Sequence, residues 1–100
     1  MNGQQCIPAL KALGEETRLR ILRLLFEKPM GVCEIAEKLG VTQYNVSKHL
    51  RIMREAGLLE VQKSGKQRMY SVIPALKVPA QNTGILDLGC CTFRLDQLPK

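Results

Sequence analysis

One hundred residues (11.2 kDa) with 45% hydrophobic content suit one small folded domain and exclude a chain disordered throughout. No apolar run approaches the ~20 residues that span a bilayer, and the opening MNGQQCIPAL lacks the charged start and apolar stretch of a signal, so a cytoplasmic protein with no membrane contact is expected. The net charge of +6 is concentrated: residues 38–68 carry seven Lys/Arg against Glu55 and Glu60, which accounts for +5 and is the footprint of a polyanion partner.

IPALKALG reads as a short first helix, with Pro8 in its first turn and Gly14 at its end. EETRLRILRLLFEKP follows as a second helix. Acidic residues open it, Leu19, Leu22 and Phe26 form a stripe, Ile21, Leu24 and Leu25 widen that stripe, and Pro29 lies beyond the end. VCEIAEKLG is a short third helix with Ile35, Ala36 and Leu39 on its apolar face and Gly40 as its stop.

VTQYNVSKHLRIMREAG reads as a fourth helix, capped by Thr42 and stopped by Gly57. Val46, Leu50 and Met53 recur at i, i+4 and i+7 and predict its buried stripe. Tyr44, Lys48 and Arg51 then point away from that stripe, Asn45 and Ser47 flank it, and His49 sits near its edge as a packing residue. LLEVQKSGKQRMYSV alternates on both sides of Ser64-Gly65, which predicts a hairpin whose tip carries Lys63, Lys66 and Arg68. PALKVPAQNTG suits a linker or a broken helix, and the last residues are compatible with helix or strand.

Two short helices joined at Leu39-Gly40-Val41-Thr42, then a basic hairpin, make a winged helix-turn-helix in a mainly α fold with a small β-hairpin (α+β). Residues 1–74 form this DNA-binding unit. Residues 75–100 are a C-terminal extension, either part of the same domain or a dimerisation and inducer segment. In such a fold the third helix braces the fourth, whose exposed face lies in a major groove of double-stranded operator DNA. Thr42, Gln43, Tyr44, Asn45, Ser47, Lys48 and Arg51 are the candidate DNA contacts of the helix, and Lys63, Lys66 and Arg68 those of the wing.

The stretches ETRLRILRLL, EIAEKLGVTQYNVSKHLRIMREAGLLE and GKQRMYSV resemble the ArsR/SmtB family of metal-responsive transcriptional repressors over roughly residues 9–74. The resemblance implies a homodimer, joined through the first helix and whatever follows the wing, that leaves its operator when a metal or metalloid binds. Arsenic-sensing members carry a cysteine pair in CVCDL at the start of the third helix. Here the same stretch is GVCEI, so Cys33 matches the second cysteine and Gly31 stands in place of the first. Other members place thiols near the C-terminus, some adjacent, and Cys90-Cys91 resemble that arrangement.

The four cysteines (Cys6, Cys33, Cys90, Cys91) are expected as thiols in a reducing cytosol, and with no CxxC and one histidine they do not form a zinc finger. ILDLGCCTF also differs at two letters from ILDLGCGTG, the glycine loop of methyltransferases that bind S-adenosylmethionine. Cys91 and Phe93 fill the positions where glycine lets the backbone approach a cofactor, no helix or acidic residue follows at the needed distance, and no organic cofactor is expected. As packing residues, two adjacent cysteines in an extended segment face opposite sides and are not both buried. As ligands, thiolates favour soft ions, and arsenic(III), bound by three thiolates in a pyramid, is the expected inducer: Cys90 and Cys91 with Cys6 or Cys33 as third ligand. Cadmium, lead and a redox or persulfide signal are the alternatives within this class. An enzyme is not expected, since no nucleophile–base pair is visible.

Overall fold

The computed structural model describes residues 3–99; Met1, Asn2 and Lys100, at the outer ends of the two predicted segments, lie outside the described residues. Five helices and two hairpins follow in the order α1 (Gly3–Leu13), α2 (Glu16–Glu27), α3 (Val32–Leu39), α4 (Gln43–Glu55), β1 (Leu59–Ser64), β2 (Gln67–Val72), α5 (Pro74–Thr83), β3 (Ile85–Asp87) and β4 (Thr92–Arg94), with a 3₁₀ turn at Leu95–Gln97.

α1 begins well before Pro8, so Pro8 falls inside the helix and not in its first turn. A proline there forfeits one backbone bond, but Cys6, Ala9, Ala12 and Leu13 are all buried on the inner face and hold the helix together. On α2 the fully buried stripe is Ile21, Leu22 and Leu25, whereas Leu19 and Phe26, expected at its centre, are only partly covered. The reason is tertiary. α2 is packed by α1, α3, α4 and β2 together, and the arc they cover is centred on those three residues.

α4 follows its periodicity: Val46, Leu50 and Met53 are fully buried. β1 and β2 pair antiparallel with Ser64 opposite Gln67, so the two tip residues are Gly65 and Lys66, one position later than the alternation predicts. Gly65 takes the left-handed conformation (φ 64°) that the first position of such a turn requires. Met30 adds one more bridge at the hairpin's inner edge, exchanging backbone bonds of 3.0 and 2.8 Å with Tyr70.

The C-terminal segment is neither linker nor broken helix. Pro74 sits at the helix start, where its missing N–H costs nothing, and Pro79 is tolerated inside α5 because Leu76 and Ala80 are buried beside it. Gly84 (φ 72°) ends the helix, and β3 and β4 form a second, unpredicted hairpin with Leu86 opposite Phe93. Leu76, Leu86, Leu88 and Leu98 belong to the same buried cluster as the helices. Burial of each leucine side chain contributes roughly 1.5–3 kcal/mol, more than the ~1 kcal/mol of a hydrogen bond such as that from Arg23 Nη1 to the Leu98 carbonyl. Apolar burial therefore docks the tail.

Candidate DNA-binding face and thiol cluster

The helix-turn-helix is held by local chemistry. Gly40 ends α3 at φ 67°, and the Val41 amide returns to the Ala36 carbonyl at 3.2 Å. Thr42 then caps α4, its Oγ1 accepting from the Asn45 amide at 3.2 Å. With the buried stripe pinned to the core, Thr42, Gln43, Tyr44, Asn45, Ser47, Lys48 and Arg51 are all exposed. Tyr44 is 78% accessible, a cost for an aromatic ring that a partner surface would remove. Tyr44, Ser47, Lys48 and Arg51 line one shallow concavity of about 300 Å³.

Lys63, Lys66 and Arg68 are exposed on the wing. Among the described residues no ion pair engages Lys48, Lys63, Lys66 or Arg68, and Arg51 meets Glu55 only at 4.0 Å between exposed side chains. Such a surface pair is worth a few tenths of a kcal/mol. The cations are thus available to phosphate.

His49 joins α4 to the start of α2, a network that periodicity alone does not reveal. Its Nδ1 lies 3.3 Å from Arg18 Nη1 and 3.8 Å from Glu15 Oε2. Arg18 also donates from Nε to the Ala12 carbonyl, and Glu15 caps α2 by accepting from the Arg18 amide at 3.0 Å. Burial pushes His49 below its ordinary pKa, Glu15 opposes the shift, and Arg18 and Lys48 reinforce it. The lowered pKa favours the neutral imidazole, whose Nδ1 can then accept from the guanidinium.

The thiols divide into two places. Cys33, exposed in the first turn of α3, faces the wing across a cavity of about 590 Å³ lined also by Gly31, Glu37, Ser47, Arg68 and Met69. Cys6, Cys90 and Cys91 come together elsewhere, with all three sulfurs within 4.8 Å of one another. Cys6 is buried on α1, Cys90 is exposed, and Cys91 is half-buried against the core. Contrary to the expectation of four thiols, Cys6 and Cys90 are joined as a disulfide across a Cα–Cα distance of 6.3 Å, and Cys33 and Cys91 are free. The fold is the cause: it lays the tail hairpin beside α1.

Sequence adjacency misleads for the cysteine pair as well. Cys90 and Cys91 lie in a turn and not in extended chain, closed by Leu88 N–H to the Cys91 carbonyl at 3.0 Å and by Gly89 N–H to Asp87 Oδ1 at 2.7 Å. Gly89 adopts φ 93°, and the two sulfurs end 4.0 Å apart instead of on opposite faces. The same turn disposes of the methyltransferase alternative. After β3 the chain reverses into β4, where a cofactor loop would open a helix. With the Cys6–Cys90 bond reduced, the group would offer three thiol donors and no carboxylate or imidazole, a set that fits a soft ion.

The bacterial regulatory protein model of the arsR family matches residues 15–61, from the α2 cap to the first half of the wing. The chain is 41% identical over 64 residues to an uncharacterised HTH-type transcriptional regulator of Methanocaldococcus jannaschii, covering 63% of this chain and 72% of that one. It is 39% identical over 82 residues to the arsenical resistance operon repressor of Escherichia coli, covering 81% and 68%. Among solved structures, the homodimeric winged helix-turn-helix DNA-binding domain of a possible ArsR-family regulator from Mycobacterium bovis superposes with a TM-score of 0.71 at 28% identity, over 76% of this chain and 70% of that one. Sequence similarity at this level and extent, on a winged helix-turn-helix with its basic face open, places the chain in the arsR family of bacterial DNA-binding transcriptional regulators, which are not enzymes.

Proposed function

We propose that the protein is a cytoplasmic, homodimeric repressor that holds operator DNA and releases it when arsenic(III) binds Cys6, Cys90 and Cys91. The observation that carries this reading is the convergence of three sulfurs from two distant parts of the chain, within 4.8 Å of one another. A set without carboxylate or imidazole selects thiophilic ions over hard ones. The E. coli relative named an arsenical resistance operon repressor supports arsenic as the inducer. Cys33, on α3 and lining the cavity that faces the wing, lies outside this group, which supports Cys6 as the third ligand.

The switch needs little energy. A ~100-fold loss of operator affinity corresponds to about 2.7 kcal/mol of preference for the released form. The three ligands sit on α1 and the tail hairpin, so an ion drawing them together acts on the segments through which the dimer is proposed to form, and through them on the spacing of the two α4 helices. The test is an operator-fragment titration with arsenite, cadmium, zinc and persulfide in turn, on the reduced protein. Arsenite should release the wild type, and the Cys90→Ser/Cys91→Ser protein should bind DNA normally but ignore arsenite. Normal release of that double variant would move the sensor to Cys33.

A further inference from the structure

We propose that Cys6 and Cys90 form an oxidation site whose disulfide shuts the three-sulfur site to soft ions. The inference rests on the reading of those sulfurs as the inducer site, and adds the condition under which the site can be loaded.

The geometry sets two mutually exclusive states. With Cys6 and Cys90 bonded to each other, the group keeps one thiol, Cys91. Disulfide sulfurs carry no thiolate charge and are poor ligands, so an ion that needs three sulfurs finds one. In the bonded state the Cα–Cα separation is 6.3 Å, inside the ordinary disulfide range of about 4.4–6.8 Å, so the fold accommodates the bond. A Cys90–Cys91 bond, by contrast, would have to reshape the turn that Leu88, Gly89 and Asp87 hold closed.

Exposure assigns the roles. Cys90 is open to solvent and meets the oxidant, while Cys6 is 1% accessible and resolves the product from within. With a peroxide, the Cys90 sulfur takes one oxygen to become a sulfenic acid as the peroxide O–O bond breaks and water or an alcohol leaves. The Cys6 thiol then attacks that sulfur. The S–S bond forms, the S–O bond breaks, and the hydroxyl departs with the Cys6 proton as water. Two electrons pass from the two thiols to the peroxide. A thiol or phosphine reductant returns them.

The disulfide-linked protein keeps every candidate DNA contact exposed. It therefore stays on its operator while deaf to arsenite, and the repressor answers to the metalloid only in reducing surroundings.

The experiment uses the full chain as Cys33→Ser, which removes the thiol outside the cluster. Hydrogen peroxide should lower the free-thiol count from three to one, and peptide mass mapping should find Cys6 linked to Cys90. Arsenite affinity should fall by on the order of 100-fold or more, since each lost ligand forfeits its effective concentration. Operator binding should persist, arsenite should no longer release it, and a phosphine should restore the response. The gate is overturned if no Cys6–Cys90 peptide forms, if the oxidised protein binds arsenite as tightly as the reduced one, or if oxidation alone frees the operator. A reduced protein that forms the disulfide on oxidation yet never binds arsenite refutes the inducer assignment instead, and the gate with it.

Discussion

Gly89 decides where two sulfurs point. Its φ of 93° belongs to a region that side-chain-bearing residues avoid, and the turn it makes puts Cys90 and Cys91 on one side. Gly89→Ala should therefore weaken arsenite binding while leaving operator binding near wild type; equal arsenite affinity in a titration would show that the turn does not set the site. On α4 and the wing, base and phosphate roles are expected to separate by position. Asn45 lies in the first turn of α4, whereas Lys66 is at the wing tip. Lys66→Ala should weaken binding to every sequence and reduce the salt slope by about one. Asn45→Ala should instead narrow the gap between operator and random DNA. Identical uniform losses in both variants would contradict the assignment.

Among the elements, the junction of α1, α2 and α4 should respond to pH. At His49, burial lowers the pKa below its ordinary 6.5. At Glu15, burial pulls upward, but the backbone N–H donors of Thr17 and Arg18, with His49, prevail and lower it below 4.5. Both groups bind their protons less readily folded than unfolded. Their contribution to stability is therefore complete above 6.5, declines as the pH falls through the lowered pKa of His49, and declines again below 4.5 through that of Glu15. Urea midpoints should drop between about pH 7.5 and pH 5.5, and His49→Gln should flatten that drop. An unchanged slope in the variant would remove His49 from the account.

For the whole molecule, the exposed apolar residues are the faces that a second copy is expected to cover. Ile7 and Leu10 on α1, Val78 on α5 and Ile85 on β3 are 56%, 39%, 55% and 40% accessible, and with Tyr44 on α4 they are the large exposed hydrophobics among the described residues. A two-fold pairing through these faces would cover them and set two α4 helices against half-sites one or two turns of DNA apart, ~34 Å per turn. Ile7→Glu combined with Val78→Glu should give a folded monomer by sedimentation with weakened operator binding. A dimer that survives both changes would place the interface elsewhere.

The sequence alone determined the DNA-binding unit, because its signals are local. The Val46/Leu50/Met53 spacing names the buried face of α4, Thr42 and Gly40 mark helix ends within a few residues of the bonds they make, and alternation defines β1 and β2. The exposure of the basic side chains could be read for the same reason: whatever does not face the core faces solvent. The thiol site was legible only in part. Cys90 and Cys91 announce themselves by adjacency, but that Cys6 and not Cys33 lies beside them joins residues 84 apart in sequence. No periodicity carries that information. It was decided by the burial of Leu86, Leu88 and Leu98 in the core built by the helices, which fixes the tail beside α1, and by a turn at Gly89 that overrides the alternation of an extended strand. Such long-range closure depends on total apolar area buried and not on any one segment's pattern, so only the tertiary structure could supply it.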